Sequence, residues 1–335
     1  MQRRLKDYLF ISLKGVAMGA ADAVPGVSGG TIAFISGIYE ELVTTISNIN
    51  LDLLKTLKNN GFNAFWTKLN GNFILALLTG IIISFISFMR IAKYLLEQHP
   101  VLIWSFFFGL IIASIYFVGK QIKKWSTATV IALIIGTCIA FYISNLPSLA
   151  SNTSSYFLFI AGAIAICAMI LPGISGSFIL VILGAYKTLS DAFHDFDLKK
   201  IALFASGAVV GLLSFSRILK WLFKHYHNIT LALLTGFILG SLNKVWPYKK
   251  TDTVMSDLNG QIIEFETVSD VGTLGIYQKN LNNFDSYKTV LEHSISPSNY
   301  EAINATSAQL PLAIGLMIAG FLTIFILEKL GNKVK

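Results

Sequence analysis

Uncharged stretches long enough to cross a membrane alternate with short charged connections along this chain. Residues 73–89 carry no charge and end at Arg90, residues 101–119 carry none, and 125–186 form an uncharged run long enough for more than one crossing. Further uncharged runs cover 201–216, 228–243 and 302–327. A hydrocarbon core about 30 Å thick is crossed by roughly 20 apolar residues in a helix. The pattern therefore predicts helical spans at about 73–96, 101–118 and 128–144, and again at about 201–223, 229–246 and 310–328.

Two further apolar regions are interrupted. Residues 11–46 are split by Val24-Pro25-Gly26-Val27-Ser28-Gly29-Gly30, and residues 156–189 by Leu171-Pro172-Gly173-Ile174-Ser175-Gly176-Ser177. Proline removes a backbone donor and glycine permits non-helical turns. Each region thus predicts two half-helices joined by a glycine-rich turn. Inside a bilayer such backbone is tolerated only where protein or a water-filled cavity satisfies it.

The two interrupted regions are copies of one another. At an offset of 147, Pro25, Gly26, Ser28 and Gly29 align with Pro172, Gly173, Ser175 and Gly176, and the register continues through Gly37/Gly184, Tyr39/Tyr186 and Leu42/Leu189. At an offset of 127, because the first half has a longer connecting loop, Ser87-Phe88-Met89-Arg90-Ile91-Ala92-Lys93 aligns with Ser214-Phe215-Ser216-Arg217-Ile218-Leu219-Lys220. Chance supplies matching leucines in a membrane sequence, but not Pro, Gly, Ser, Arg and Lys in order. Each half reads as a broken hairpin followed by three spans. If the hairpin leaves on the side it came from, each half makes an odd number of crossings and the second copy is inserted upside down, as in many secondary transporters. The expected fold is an all-α polytopic membrane protein of two inverted repeats, 1–150 and 151–335, each a re-entrant hairpin plus three transmembrane helices. Residues 247–308, with eight acids against four lysines and an alternating strand-like stretch at 261–268, predict a small extracytoplasmic insert in the second repeat.

Composition agrees with this reading. Of 335 residues, 54% are hydrophobic and 13% charged, against about 25% charged in soluble domains, and the mean hydropathy is +0.65. This argues against a cytosolic enzyme, a disordered chain and a nucleic-acid binder. The net charge of +8 sits between apolar runs, as in cytoplasmic loops, and the lysine distribution places the N-terminus inside. The basic start and the apolar run after it imitate a signal peptide, but Lys14 interrupts that run. Cys138 and Cys167 fall in uncharged stretches and read as buried thiols. The five histidines form no metal-ligand spacing, so they are given none of the chemistry, and neither metal nor cofactor is expected.

Two sets of residues carry candidate chemistry. A half-helix beginning at a Pro-Gly-x-Ser-Gly turn presents free N–H groups and a positive dipole end. Ser28, Gly29, Gly30, Ser175, Gly176 and Ser177 could therefore cradle a phosphate. The same small residues would also serve a close helix crossing. No Gly-Lys-Ser/Thr follows, so nucleotide hydrolysis is unsupported. The second set is basic. Of four arginines, Arg3 and Arg4 lie in the N-terminal tail, while Arg90 and Arg217 are repeat mates inside apolar helices, each followed on the same face by a lysine, Lys93 or Lys220. Charge within a membrane helix points to function, and guanidinium suits phosphate; snorkelling to headgroups is the alternative. Asp22 and Glu40 break the symmetry, since their mates are Met169 and Lys187. A lone carboxylate suits a coupling or gating role, or else an ion pair or a helix cap.

The stretch KGVAMGAADAVPGVSGGTIAF from Lys14 to Phe34, followed by Gly37-Ile38-Tyr39-Glu40, resembles the signature of the bacterial PopT-like polyprenyl-phosphate transporters. The second turn and the Ser-Phe-x-Arg blocks are similar too. The resemblance covers nearly the whole chain apart from 247–308. It implies a flippase that returns undecaprenyl phosphate from the outer to the inner leaflet of the cytoplasmic membrane for reuse in peptidoglycan and other envelope polymers. Its partners would be that lipid, the surrounding membrane lipids and a coupling ion, proton or sodium. Membrane undecaprenyl-pyrophosphate phosphatases are the rival. Their Pro-Gly-x-Ser turn continues with Arg, where this chain has Gly29 and Gly176, and their paired glutamates and histidine have no evident counterpart. A small-anion transporter is a third reading.

Overall fold

Helices follow the interrupted apolar pattern closely. A computed structural model describes residues 3–22, 28–146, 154–256, 262–264, 287–304 and 306–332. In chain order, α1 (Leu5–Asp22), α2 (Gly29–Ile35) and α3 (Tyr39–Ser47) come from the first interrupted region, and α8 (Ser155–Ile170), α9 (Gly176–Ile182) and α10 (Tyr186–His194) from the second. Between them lie α4 (Leu51–Lys68), α5 (Gly71–Gln98), α6 (Pro100–Gly119) and α7 (Thr127–Ser144). After α10 come α11 (Leu198–Gly240), α12 (Leu242–Val245), strands β1 (Lys249–Ser256), β2 (Ile262–Glu264) and β3 (Tyr287–Ser294), then α13 (Pro297–Asn304) and α14 (Leu310–Asn332).

The structure differs from expectation in four places. Each interrupted region forms three helices, not two. The extra break falls at Gly37 (φ 72°) and its mate Gly184 (φ 66°). The Ile38 N–H reaches back to the Ala33 carbonyl at 3.0 Å, and the Ala185 N–H to the Leu180 carbonyl at 2.9 Å. This is the left-handed helix stop that glycine favours, made twice by mated residues. Second, the connecting loop of the first half is helical. In α4, capped by the Asn50 side chain on the Leu53 N–H at 3.0 Å and broken at Gly61 (φ 80°), Leu51 and Leu54 of the first segment are exposed beside Lys55 and Lys58, as in a helix lying along an interface. Third, no loop separates the spans expected at 201–223 and 229–246: two helices meet directly at a kink at Tyr226 (φ −132°, ψ 45°). Fourth, Cys138 is exposed. On a helix that faces lipid the apolar side points outward, so an uncharged neighbourhood does not imply burial.

By length and composition, α6, α7 and the α11–α12 stretch are each sufficient to cross a membrane, and α4 with α5 forms a fourth candidate bent by 52°. Their outer surfaces carry exposed Ile83, Ile112, Ile131, Ile135 and Val209. The protein is mostly helical and polytopic, with a three-stranded antiparallel sheet, order β2-β1-β3, in the insert.

Glycine sets the helix joints, and each joint occurs twice. A Cβ on Gly15 of α1 would strike the Leu77 carbonyl of α5, and one on Gly80 would strike the Ser12 carbonyl. In the second half a Cβ on Gly162 of α8 would strike the Phe204 carbonyl of α11, and one on Gly207 the Phe159 carbonyl. All four positions are mates at the two sequence offsets. The third and fourth helices behave differently, because they exchange partners between halves. Gly109 of α6 abuts the Met317 carbonyl of α14, while its mate Gly236 of α11 abuts the Leu133 carbonyl of α7. The last helix of each half thus packs on the other half, and the helices on either side of residue 150 are interleaved.

The insert docks through a half-buried ion cluster. Glu292 accepts from Lys249 at 2.7 Å and pairs with Lys244 at 3.2 Å. Lys249 also lies 4.5 Å over the Trp104 ring, and Lys244 lies 4.6 Å over the Phe178 ring. Burial alone would raise the Glu292 carboxyl, but the two ammonium groups outweigh it and hold the carboxyl down to about 2. The Trp246 indole N–H and Tyr248 hydroxyl close the join on the Ile295 and Ala308 carbonyls, each at 2.9 Å.

Candidate functional site

The start of α2 meets the end of α8 and the second glycine turn, while residues 23–27 of the first turn lie outside the described residues. Helix α2 buries every residue except Gly30, as a core helix surrounded by protein must. The Gly173 N–H donates to Thr31 Oγ1 at 2.9 Å, the Ser28 hydroxyl faces the Met169 carbonyl at 3.5 Å, and the Tyr39 hydroxyl donates to the Ile170 carbonyl at 3.1 Å. A Cβ on Gly30 would come within 2.9 Å of the Ile170 carbonyl, so glycine there lets α2 lie against the end of α8. Backbone groups left by one break are thus satisfied in part by the other, which is what non-helical backbone at membrane depth requires.

The turns are not equivalent. In the first, Asp22 Oδ1 accepts from the Gly29 N–H at 2.7 Å and Ser28 Oγ accepts from the Gly30 N–H at 3.2 Å. The start of α2 is therefore already capped, by a carboxylate and a hydroxyl. The mate of Asp22 is Met169, and among the described residues no side chain caps α9. Ser175 and Ser177 hydrogen-bond each other at 2.9 Å, and Ser177 is exposed. Gly176 abuts α8, where a Cβ would lie 2.9 Å from the Ala165 carbonyl.

The basic pairs lie elsewhere. The Arg217 guanidinium, exposed on α11, donates to the Ile49 carbonyl at 3.1 Å, and the Lys220 ammonium donates to Asn48 Oδ1 at 2.8 Å. Both reach the C-terminal end of α3, where carbonyls lack helical partners and attract cations. Tyr39, at the other end of α3, is the residue that touches the turns. With nine residues in α3, roughly 14 Å separate its ends, so Arg217 and Lys220 are not brought to the turns. Arg90 and Lys93 are carried on α5, and their side chains lie outside the described residues.

Glu40 pairs with His227 at 3.0 Å, so one histidine, read from sequence as outside the chemistry, is the partner of a candidate acid. Thr31 and Tyr39 were missed as contacts. Thr31 is within the glycine-rich motif and Tyr39 is a repeat match, but their acceptor and donor partners are backbone groups that sequence does not distinguish.

Several apolar helices long enough to cross a membrane, packed with two interrupted helical segments that touch, define a polytopic membrane protein. The chain belongs to the undecaprenyl phosphate translocase-like family, whose description matches residues 18–263. It is 40% identical over 333 residues, 99% of this chain and all of the relative, to a polyprenyl-phosphate transporter of Vibrio cholerae. It is 33% identical to a polyprenyl-phosphate transporter of Staphylococcus aureus, over 72% of this chain and 88% of the relative. A putative O-antigen transporter of Escherichia coli is 27% identical over 44% of this chain and 37% of its own length. These relatives are transporters and not enzymes. No solved structure matches at a significant level.

Proposed function

We propose that this protein translocates undecaprenyl phosphate from the outer to the inner leaflet of the bacterial cytoplasmic membrane, returning the carrier for cell-envelope synthesis. The observation that carries the reading is the contact between the start of α2, capped by Asp22, and the second glycine turn, whose helix α9 has no side-chain cap, in a family described as undecaprenyl phosphate translocase-like. An anionic headgroup crossing hydrocarbon needs backbone and hydroxyl donors at mid-depth and cations on either side. Ser175, Gly176 and Ser177 offer the uncapped donors, with Ser28, Gly29 and Gly30 as their mates. Arg217 with Lys220, and Arg90 with Lys93, are the flanking cationic stations, while the prenyl tail stays in lipid.

The hairpins are re-entrant in this reading, and repeats 1–150 and 151–335 run in opposite directions through the bilayer. The N-terminus lies in the cytoplasm and the insert outside. Twofold repetition of the Gly15/Gly80 and Gly109/Met317 joints supports two related half-structures. Asp22 and Glu40, which have no acidic mates, are the candidates for coupling to a proton or sodium gradient. The test is lipid flipping in proteoliposomes with a short-chain polyprenyl phosphate, with and without each gradient. The Arg90→Ala/Arg217→Ala protein should fold and lose translocation. A wild-type rate in that variant would remove the cationic stations from the mechanism.

A further inference from the structure

The connection between α3 and α5 differs from its mate in length and in chemistry. In the second half three residues, Asp195, Phe196 and Asp197, join α10 to α11. In the first half the connection folds into a helical hairpin. Gly61 (φ 80°, ψ 177°) breaks α4, and the Lys68 ammonium returns to the start of the helix, donating to the Thr56 hydroxyl at 2.9 Å and the Asp52 carbonyl at 3.4 Å. An unbroken helix would hold residues 52 and 68 about 24 Å apart, so the two segments lie side by side.

At about 100° per residue, Leu51, Leu54, Leu57 and Lys58 share one side of the first segment, and Asp52 and Asn59 occupy the other. Leu53 is buried, whereas Leu51 is 75% exposed, and Leu54 and Leu57 are exposed too. Asp52 pairs with Lys55 at 3.3 Å. Lys58, exposed between Leu54 and Leu51, makes no ion pair among the described residues. The second segment adds an aromatic cluster, in which Phe62, 60% exposed, stacks on Trp66 with ring centroids 5.5 Å apart, beside Phe65. Tryptophan favours the boundary between headgroups and acyl chains. The hairpin is fixed to the bundle. The Trp66 indole N–H donates to Asn72 Oδ1 at 2.8 Å, and the Asn70 amide donates at 2.8 Å to Glu41 Oε1 of α3, a carboxylate that Arg3 also holds. Leu69 and Asn70 are all that separate it from α5, whose Leu75, Leu78 and Ile82 are exposed, as on a surface that faces lipid. Chain connectivity thus sets the hairpin at the membrane boundary, with the bilayer as the occupant of its apolar side.

We propose that the α4 hairpin is a binding surface for anionic phospholipid, with Leu51, Leu54 and Leu57 set among the upper acyl chains and Lys58 between them on the lipid phosphates. Amphipathic segments with basic residues beside an apolar face bind the interface in this way, and each lysine close to the surface adds attraction to an anionic leaflet. The mated link, Asp195-Phe196-Asp197, repeats neither the leucines nor the lysines, so the two ends of the molecule meet their leaflets differently. With the N-terminus in the cytoplasm, as proposed above, the hairpin lies on the inner leaflet. The class of lipid follows from the hairpin itself and not from that orientation.

Nanodiscs that mix phosphatidylcholine with phosphatidylglycerol test this, using the full chain in a Cys138→Ala/Cys167→Ala background with one fluorophore attached. A label at Leu54→Cys should be quenched by brominated acyl chains, and one at Asn59→Cys should not; equal quenching at the two positions overturns the inference. With the bromine carried by one lipid and then by the other, the Leu54 label should report a local preference for phosphatidylglycerol of about two- to fivefold. That preference should vanish in Lys58→Gln and be absent for a label at Ile135→Cys on α7, an exposed site without a lysine beside it. No preference at Leu54, an equal one at Ile135, or an unchanged one in Lys58→Gln overturns the inference. If the Leu54 label escapes lipid quenching and Leu54→Cys cross-links two copies of the chain, the face is a contact between protein molecules and the inference fails. The readout contains no transport, so failure of the proposed translocation leaves this surface standing, and failure of the surface leaves the translocation standing.

Discussion

Helix α14 carries two glycines that make a controlled pair. A Cβ on Gly320 would strike the Phe106 carbonyl and approach the Leu110 nitrogen of α6 within 3.0 Å, whereas nothing lies within 4 Å of a Cβ on Gly315. Either replacement by alanine adds the same methyl group to the same helix and gains up to about 1 kcal/mol of helix propensity. At Gly315 that gain is unopposed. At Gly320 the obstacle is backbone, which cannot rotate away, so α6 and α14 must separate by about 1 Å, with an overpacking cost at the upper end of about 1–3 kcal/mol. The expected net effects are about 1 kcal/mol of stabilisation for Gly315→Ala and about 2 kcal/mol of destabilisation for Gly320→Ala. Thermal unfolding in detergent, followed by the monodisperse fraction, should separate the variants by at least about 5 °C. Gly136 forms the same joint between α7 and α11, against the Leu233 carbonyl, so Gly136→Ala should match Gly320→Ala. Equal melting of the Gly315 and Gly320 variants, or a harmless Gly136→Ala beside a harmful Gly320→Ala, would refute the view that paired glycine joints hold the helices.

Tyr39→Phe removes the donor to the Ile170 carbonyl inside the core and should cost about 1–2 kcal/mol, read as a lower melting temperature with helix content retained. Glu292→Ala leaves two half-buried ammonium groups without their carboxylate and should loosen the insert at a cost of about 1–3 kcal/mol, seen as new protease cleavage within 287–304. In the parent, the Glu292 carboxyl lies below its ordinary 4.5, so its contribution is complete above that pH and disappears as pH falls toward about 2. Docking that loosened instead between about pH 5 and 8 would contradict this assignment. Asp22→Ala removes the acceptor for the Gly29 N–H and should cost about 1 kcal/mol, while Asp22→Asn keeps an acceptor oxygen and should fold like the parent. If Asp22 carries the coupling proton, the Asn variant loses the response of transport to an imposed pH gradient; an unchanged response removes it from coupling.

The interleaving of the halves bears on how such a fold can move. Because α7 and α14 are exchanged, neither half is a separate body, and the repeated joints tie the halves together twice.

The positions of the helices, the two glycine turns and the repetition itself were determined by sequence alone, for a local reason. Hydrocarbon demands long uncharged runs, proline and glycine interrupt helices wherever they stand, and duplicated residues keep their spacing. The second break at Gly37 and Gly184 was visible as a matched pair, but its left-handed stop depends on hydrogen bonds that only the folded chain displays. The tertiary structure decided which helices exchange partners, that Thr31 receives the Gly173 N–H across 142 positions, and that Arg217 meets a carbonyl and not a second turn. Backbone donors and acceptors are the same at almost every residue, so sequence carries no mark of who meets whom.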